Sequence, residues 1–429
     1  MKKSFVLFSH KHGALDFYRN EIKTGVMLNS SKITKEDFEN LLDIKLIKIP
    51  WCDKGYVIDE HEKLIALKSL SIDSGLFHVA DPKELYPISL LDIQPGHKVL
   101  DVFSCASGVR TIQAGLFLEN KGLLVANSEN KAKTIKTTNK LQTFGITNFI
   151  SINSGHEKLL KSNKDSFDRI MVTPTKDHKD EETNYMKMPI KVRKLKLTEN
   201  TKKIYNLLDN SLSMLKHGGK LLYSAKGNSF LEEKYALNKI LNAHKNVYIG
   251  KIDSEYDAKM VISDKYSSEK MYILVLEKLI SENYNNLDNK AYQEYNNEIT
   301  PYIAFEKKYM NITLEDKVVR NNNKFYILPE HAINTENVDV RNTGSVIGFL
   351  KYDNFTPSHA LSCILKKEDF KNYYEFDFKS DEYKKYINNI SFKATIKSDI
   401  YLIGCMGYPI GWGRVRNGLF FNITKKFVK

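Results

Sequence analysis

The chain has 429 residues, 42% hydrophobic and 11% aromatic, which is material for two or three packed domains and excludes wholesale disorder. Against 52 Asp and Glu stand 65 Lys and Arg, a net charge of +13 that favours a polyanionic partner, nucleic acid ahead of an acidic membrane surface, with a plain Lys-rich surface as the alternative. Four cysteines, Cys52, Cys105, Cys363 and Cys405, form no CxxC pair, which excludes a zinc ribbon and speaks against a disulfide framework.

In chain order, MKKSFVLFSHKH opens with only five apolar residues, too few for a signal peptide, and no later run reaches the roughly 18 a membrane span requires. A cytoplasmic protein with no membrane partner, a monomer, is expected. ITKEDFENLLD predicts a helix capped by Thr34 with Asp37 three residues on. After Gly75 strands and helices alternate. KVLDVF, GLLVANS, FISINS, FDRIMVTP and KLLYSAK read as strands; TIQAGLFLEN, NKAKTIKTTNKLQTFG and TENTKKIYNLLDNSLSMLKHGG read as helices. That alternation predicts a doubly wound, mostly parallel sheet. The polar tract SENYNNLDNKAYQEYNNEIT, 281 to 300, reads as a linker. Beyond it KFYILP, SVIGFLKY, FKATI, DIYLIG and GLFFNI predict a small β-rich terminal domain, and no internal repeat is present.

An ordered set of segments carries a resemblance. IPWCDKGYVI, GLFHVADPKELYPISLLDIQPGHKVLDV, KTTNKLQTFGITN, FDRIMVTP, LKHGGKLLYS, FTPSHALS and GYPIGWGRVRNGLFFN together resemble the Sun family of RNA 5-methylcytosine methyltransferases. The resemblance is to its bacterial small-subunit rRNA members with a C-terminal PUA-like domain. It implies an α/β fold: a Rossmann-like class I methyltransferase sheet at 75–280, after an N-terminal α/β RNA-binding cap at 1–74. A connecting region at 281–340 and a PUA-like RNA-binding domain at 341–429 would follow.

The family's chemistry is nucleophilic: a cysteine thiolate adds to C6 of cytosine and C5 then takes the methyl group of S-adenosylmethionine, while a second cysteine helps release the adduct. The segment expected to read Asp-Ala-Pro-Cys reads VTPTKD, with Thr173 at the acid and Lys176, or Thr175 in the shifted register, at the cysteine. The second reads YSAKG, with Lys226 at the other cysteine. No thiol stands in either register, so no catalytic residue is assigned. Cys52 and Cys105 read as packing residues.

The resemblance also implies a cofactor loop at SCASGVRT, keeping Asp101, Gly108 and Thr111, with Arg110 preserving a positive charge. Ser128 replaces the acid expected to grip the ribose, Glu129 lies one residue late, and Gly155 stands near where an adenine-contacting aspartate is expected. Few polar anchors for S-adenosylmethionine thus survive together. No metal site is expected.

RNA-facing candidates remain. Lys187, Lys191, Arg193, Lys194 and Lys196 crowd KMPIKVRKLKL, and Lys176 and Lys226 would add two charges at the former reaction centre. Trp412, Arg414 and Arg416 lie in GWGRVRNG, where Trp412 either stacks on a base or plugs the core of the terminal domain. The expected function is that of a catalytically silent, rRNA-binding relative acting on ribosomal RNA or ribosome assembly. An enzyme methylating an RNA nitrogen or hydroxyl without a thiol, and a scaffold for protein partners, are the alternatives.

Overall fold

The computed structural model of the protein describes residues 6–7, 23–49, 52–59, 61–62, 74–104, 107–174, 190–227, 230–253, 256–257, 259–263, 270–280 and 298–424. Near the N-terminus, β1 (Lys23–Leu28), β2 (Ile47–Lys48), β3 (Gly55–Asp59) and β4 (Phe77–Ala80) form an antiparallel sheet in the order β2-β3-β1-β4. Helix α1 (Lys35–Leu42) starts where Thr34 accepts the Asp37 N–H at 3.1 Å, as its sequence predicts. Its Phe38 is buried edge-on against Phe77, ring centroids 5.0 Å apart.

The central sheet runs through β5 (Lys98–Asp101), β6 (Leu123–Asn127), β7 (Phe149–Ile152), β8 (Phe167–Val172), β9 (Leu215–Gly227), β10 (Lys259–Ser263) and β11 (Lys270–Lys278). Its order is β10-β11-β9-β8-β5-β6-β7, and β8, β5, β6, β7 and β9 are parallel while β11 is antiparallel to both neighbours. Every residue of β5, β6 and β7 is buried, because helices cover both faces and leave no polar side to the strands. Those helices include α2 (Val109–Leu118), α3 (Lys131–Thr143), α4 (His156–Ser162), α5 (Ile190–Met214) and α6 (Leu231–Ala243). Helix α5 begins at Ile190, earlier than the TENTKK start the sequence suggests, so the KVRKLK run is helical.

The C-terminal half continues with α7 (Thr300–Tyr309), β12 (Val318–Asn321), β13 (Lys324–Ile327), β14 (Val340–Thr343), β15 (Ser345–Lys351) and β16 (Asn354–Pro357). β12, β13, β15 and β16 make a second antiparallel sheet, so residue 341 falls between its strands rather than before them. β14 pairs antiparallel with β7 and extends the central sheet at that edge. After α8 (His359–Ile364), a third sheet is built from β17 (Tyr373–Phe376), β18 (Phe392–Lys393), β19 (Ile400–Cys405), β20 (Tyr408–Arg416) and β21 (Leu419–Asn422), in the order β17-β19-β20-β21-β18. Among the described residues no helix is long and apolar enough to cross a membrane.

The N-terminal sheet is fastened to the C-terminal turn of α3. Asn29 Nδ2 donates to the carbonyls of Gly75 and Phe144, each at 2.9 Å, and Lys32 Nζ donates to Ser74 O at 2.7 Å and Thr143 O at 3.2 Å. Gly75 makes this approach at φ 68°, and a Cβ there would lie 2.0 Å from the Thr143 carbonyl oxygen. Gly75→Ala is therefore expected to cost roughly 2–4 kcal/mol, from left-handed strain plus displacement of the α3 turn. A urea midpoint equal to that of the parent chain would contradict this packing.

Candidate functional site

Strand order reverses beside β5, whose next strand in sequence, β6, lies on one side while β8 lies on the other. A sheet of this kind leaves a crevice at the carboxyl ends of the strands flanking that reversal. The loop after β5 enters α2 through Gly108, which adopts φ 67° and ψ 3°. A Cβ at Gly108 would meet Lys140 Cδ at 3.3 Å, and Lys140 Nζ bonds the Ser107 carbonyl.

Asp101 ends β5 and is 2% exposed; its Oδ2 accepts the Thr111 hydroxyl at 2.6 Å. Oδ1 has no hydrogen-bond partner among the described residues, and neither has the buried Oγ of Ser104 in the following loop. Burial pushes the Asp101 carboxyl up to about 6, against the Thr111 bond and the charge of Arg110. Arg110 sits in the first turn of α2, its Nε buried and without a hydrogen-bond partner among the described residues.

The strand-end residue that organises the crevice is Asn127, which the sequence reading did not single out. Its Nδ2 donates to Val102 O at 3.1 Å, its Oδ1 accepts the Ser154 N–H at 3.2 Å, and its carbonyl accepts the Ser104 N–H at 2.7 Å. One residue thus ties together the loops after β5, β6 and β7. Ser128 is spent locally: its Oγ accepts the Asn130 N–H at 3.3 Å and its carbonyl accepts Asn153 Nδ2 at 2.7 Å. Glu129 is exposed, yet it leans over the end of β7. Its Oε1 lies 3.7 Å from His156 Nδ1, and a side-chain carbon at Gly155 would meet the same oxygen at 3.8 Å. His156 in turn lies against Phe103, ring centroids 5.9 Å apart. The one-residue offset of Glu129 therefore does not turn it away, because it lies past the strand, where alternation no longer fixes direction.

Where the resemblance implies the reaction centre, Thr173 follows β8 and is 5% exposed. Lys226, near the end of β9, places Nζ 2.9 Å from Oε1 of Glu84. Glu84 lies in the turn Pro82–Leu85 after β4. Burial raises its carboxyl, but the bond and charge of Lys226, together with Arg110, outweigh that and hold it below its ordinary value. The expectation of a free cation at Lys226 is qualified: its charge is paired with Glu84, a carboxylate that Arg110 also faces. Nothing in PKEL distinguishes Glu84 in sequence from a surface acid. Nearby, His78 on β4 is pushed down to about 4 by burial and the charge of Lys140, so the imidazole is neutral at pH 7.

Thr175, Lys176 and Cys105 lie outside the described residues, as do the side chains of Lys191, Arg193, Lys194 and Lys196, whose backbone opens α5. The three cysteines described are buried in other places: Cys52 in the core beside α2, Cys363 on α8 and Cys405 on β19. Trp412 is 0% exposed and donates Nε1–H to Ser358 O at 2.7 Å, in a cluster with Phe305 and Phe370. This corrects its place among the RNA-binding residues. Helix α8 covers β20 at Trp412, so the ring plugs the core, while Arg414 and Arg416 farther along the strand are exposed. Among the described residues no group of three or more His, Cys, Asp or Glu is placed to hold a metal.

The strand order and the glycine-turned loop after β5 define a class I methyltransferase fold. Residues 88–277 match the family model described as 16S rRNA methyltransferase RsmB/F, and residues 304–365 match that described as the RsmF rRNA methyltransferase first C-terminal domain. The chain belongs to this RsmB/F, or Sun, family of rRNA methyltransferases. It is 25% identical over 220 residues to ribosomal RNA small subunit methyltransferase F of Shewanella woodyi, covering 49% of this chain and 45% of that one. With the protein of the same name from Vibrio parahaemolyticus it shares 27% identity over 215 residues, 47% and 44% of the two chains. The matched segment thus spans less than half the length of these relatives. A methyltransferase homolog from Pyrococcus horikoshii has a similar fold, with a TM-score of 0.51 at 18% identity over 62% of this chain and 88% of that one.

Two outcomes test the site's electrostatics. Below about pH 4 Asp101 is neutral in folded and unfolded chains alike; between about pH 4 and 6 the unfolded chain loses its proton first, so stability falls, by up to roughly 3 kcal/mol. Asp101→Asn removes that fall, and urea titrations should find the variant gaining on the parent from pH 4.5 to 7.5; a gap independent of pH would refute a carboxyl held up by burial. Lys226→Met should destabilise by about 1 kcal/mol, a modest figure because the pair is partly exposed, and Glu84→Leu added to it should recover most of the loss. Strict additivity of the two substitutions would mean that the ion pair does not couple them.

Proposed function

We propose that this protein is an RNA-directed member of the family in which pyrimidine methylation has lapsed, acting on ribosomal RNA or ribosome assembly by binding. The observation that carries the reading is the Lys226–Glu84 pair. A lysine amine attacks only when deprotonated, and a carboxylate at 2.9 Å favours the charged ammonium instead. Thr173 and the two residues beyond it supply no thiol to replace it.

The fit to S-adenosylmethionine is incomplete. Glu129 is close to His156, Ser128 is engaged with its own neighbours, and Gly155 offers no side chain, so the groups that would grip a nucleoside are few. In favour of RNA stand the family relationship, the net charge of +13 and the exposed Arg414 and Arg416 of the β-rich terminal region, which we read as PUA-like.

Incubation with labelled S-adenosylmethionine and small ribosomal subunits should leave the RNA unlabelled, while the protein binds that RNA with an affinity that falls steeply with salt. Methyl incorporation above background would overturn the silent reading. Covalent capture by RNA containing 5-azacytidine would overturn it as well.

A second reading rests on Asp101 Oδ1, at the end of β5, and Ser104 Oγ, in the loop after it, both buried and without a hydrogen-bond partner among the described residues. Unspent groups there suit a ligand donor, and methyl transfer to an RNA nitrogen or oxygen needs no thiol. Calorimetry separates the two: heat of S-adenosylmethionine binding at micromolar concentration favours the second, and its absence at millimolar concentration excludes it.

A further inference from the structure

The third sheet carries an exposed face that the site at the central sheet does not use. In the register of β20 and β21, Arg414 stands opposite Phe421 and Arg416 opposite Leu419. β18 adds Lys393 opposite Leu419 on the other side. Side chains directly opposed across antiparallel strands point to the same face with Cβ atoms about 5 Å apart. Lys393, Leu419 and Arg416 therefore form one row, and Phe421 and Arg414 the next. All five are exposed, Phe421 and Leu419 at 38% each. On this same face the rows continue into Ile400, opposite Arg414, and into Leu402 and Trp412, which are buried with Leu361 of α8, so the exposed part is the end of the face that α8 leaves uncovered; the opposite face is closed by Val415 and Phe420.

Among the described residues Arg414, Arg416 and Lys393 make no ion pair with a carboxylate, although acids elsewhere on the surface are paired repeatedly. Three cations held at strand spacing around an exposed ring and an aliphatic side chain are poorly suited to an apolar protein partner, which would have to strip their hydration without compensation. They suit a polyanion whose charges alternate with flat apolar surface.

We propose that this face of the third sheet binds a single-stranded stretch of RNA, with Phe421 as the ring on which a base stacks and Arg414, Arg416 and Lys393 on the flanking phosphates. The proposal deepens the RNA-directed reading and rests on it. It moves the stacking role assigned in sequence from Trp412 to Phe421. A flat strand surface between cations accepts unstacked bases, whereas a duplex presents its bases edge-on and gives Phe421 nothing to cover.

The test uses the full chain and a fluorescent 12-nucleotide uridine-rich RNA, single-stranded or annealed to its complement. Phe421→Ala should weaken single-strand binding about tenfold, within the range for one lost base stack, with little effect on the duplex. Phe421→Tyr should restore it, and unchanged thermal melting separates lost stacking from lost folding. Arg414→Gln combined with Arg416→Gln should flatten the dependence of log K on log salt by about 1.4, two phosphates at roughly 0.7 each. Wild-type binding with none of these variants affected overturns the assignment of this face and leaves the RNA-directed reading standing. Failure of the parent chain to bind either RNA or small ribosomal subunits overturns both. Competition by polyglutamate as effective as by RNA of equal charge would identify a generic acidic-protein surface and overturn the stacking assignment.

Discussion

A parallel sheet whose strand order reverses leaves its loops splayed at the carboxyl ends, with a crevice between them. In this protein the Lys226–Glu84 contact is made at the carboxyl end of one of those strands, β9. Lys226 comes from β9 and Glu84 from the turn that follows the N-terminal sheet, so the pair also closes the seam between two units of the chain. Because Lys226 is partly exposed and Glu84 also feels Arg110, the pair adds a modest stabilisation, but it joins the two units at a defined point. The contact therefore settles electrostatics and assembly together.

The same seam is held from its other end by α3. The last turn of that helix presents free carbonyls, which Asn29 and Lys32 of the N-terminal unit collect. Gly145, immediately after the helix, lets the carbonyl of Cys363 on α8 approach so closely that a Cβ would sit 2.9 Å from it. Lys140, one turn earlier, reaches the Ser107 carbonyl in the loop before α2. One helix end thus anchors the N-terminal sheet, the C-terminal half and the loop after β5. The shape of the crevice is consequently fixed by contacts that have no chemical role in it, and it persists whatever stands at the reacting positions.

This division explains what could be read in the sequence. The alternation of buried strands and helices from Lys98 to Lys278 is encoded locally, in hydrophobic runs and in caps such as Thr34 and Asn130, and the observed elements follow it closely. Asp101 and Gly108 were legible because each is tied to a backbone need: one ends a strand, the other turns a loop at positive φ. Glu84 was not, since its significance arises only when β9 brings Lys226 alongside across 142 residues. Asn127 escaped for the same reason; its three bonds run to loops distant in sequence. Trp412 could be read two ways until the position of α8 on β20 settled how much of that strand's face is covered: α8 lies over it at Trp412, and the same face is open at Arg414 and Arg416. The edge strand Val340–Thr343 lay hidden in a segment too polar to look like part of a central sheet, and it is tolerated there because only one of its sides needs pairing.

The apolar clusters on the two faces of the central sheet consist of strand and helix side chains such as Leu100, Ile170 and Tyr223 on one face and Val99, Leu124 and Ile273 on the other. Thr173, Lys226 and Glu84 contribute nothing to either. Exchange at these three positions is thus largely independent of the apolar packing that folds the domain, provided charge is balanced where it is introduced. A lysine placed alone at the end of β9 would meet the crevice as an uncompensated cation. With Glu84 opposite it becomes a neutral unit, and the two positions are then constrained as a pair. Lys226→Cys with Glu84 left in place would put a carboxylate beside the thiol and raise its pKa, the reverse of what nucleophilic attack requires. The ion pair therefore couples positions 226 and 84, so that a change at one alters the electrostatics of the other.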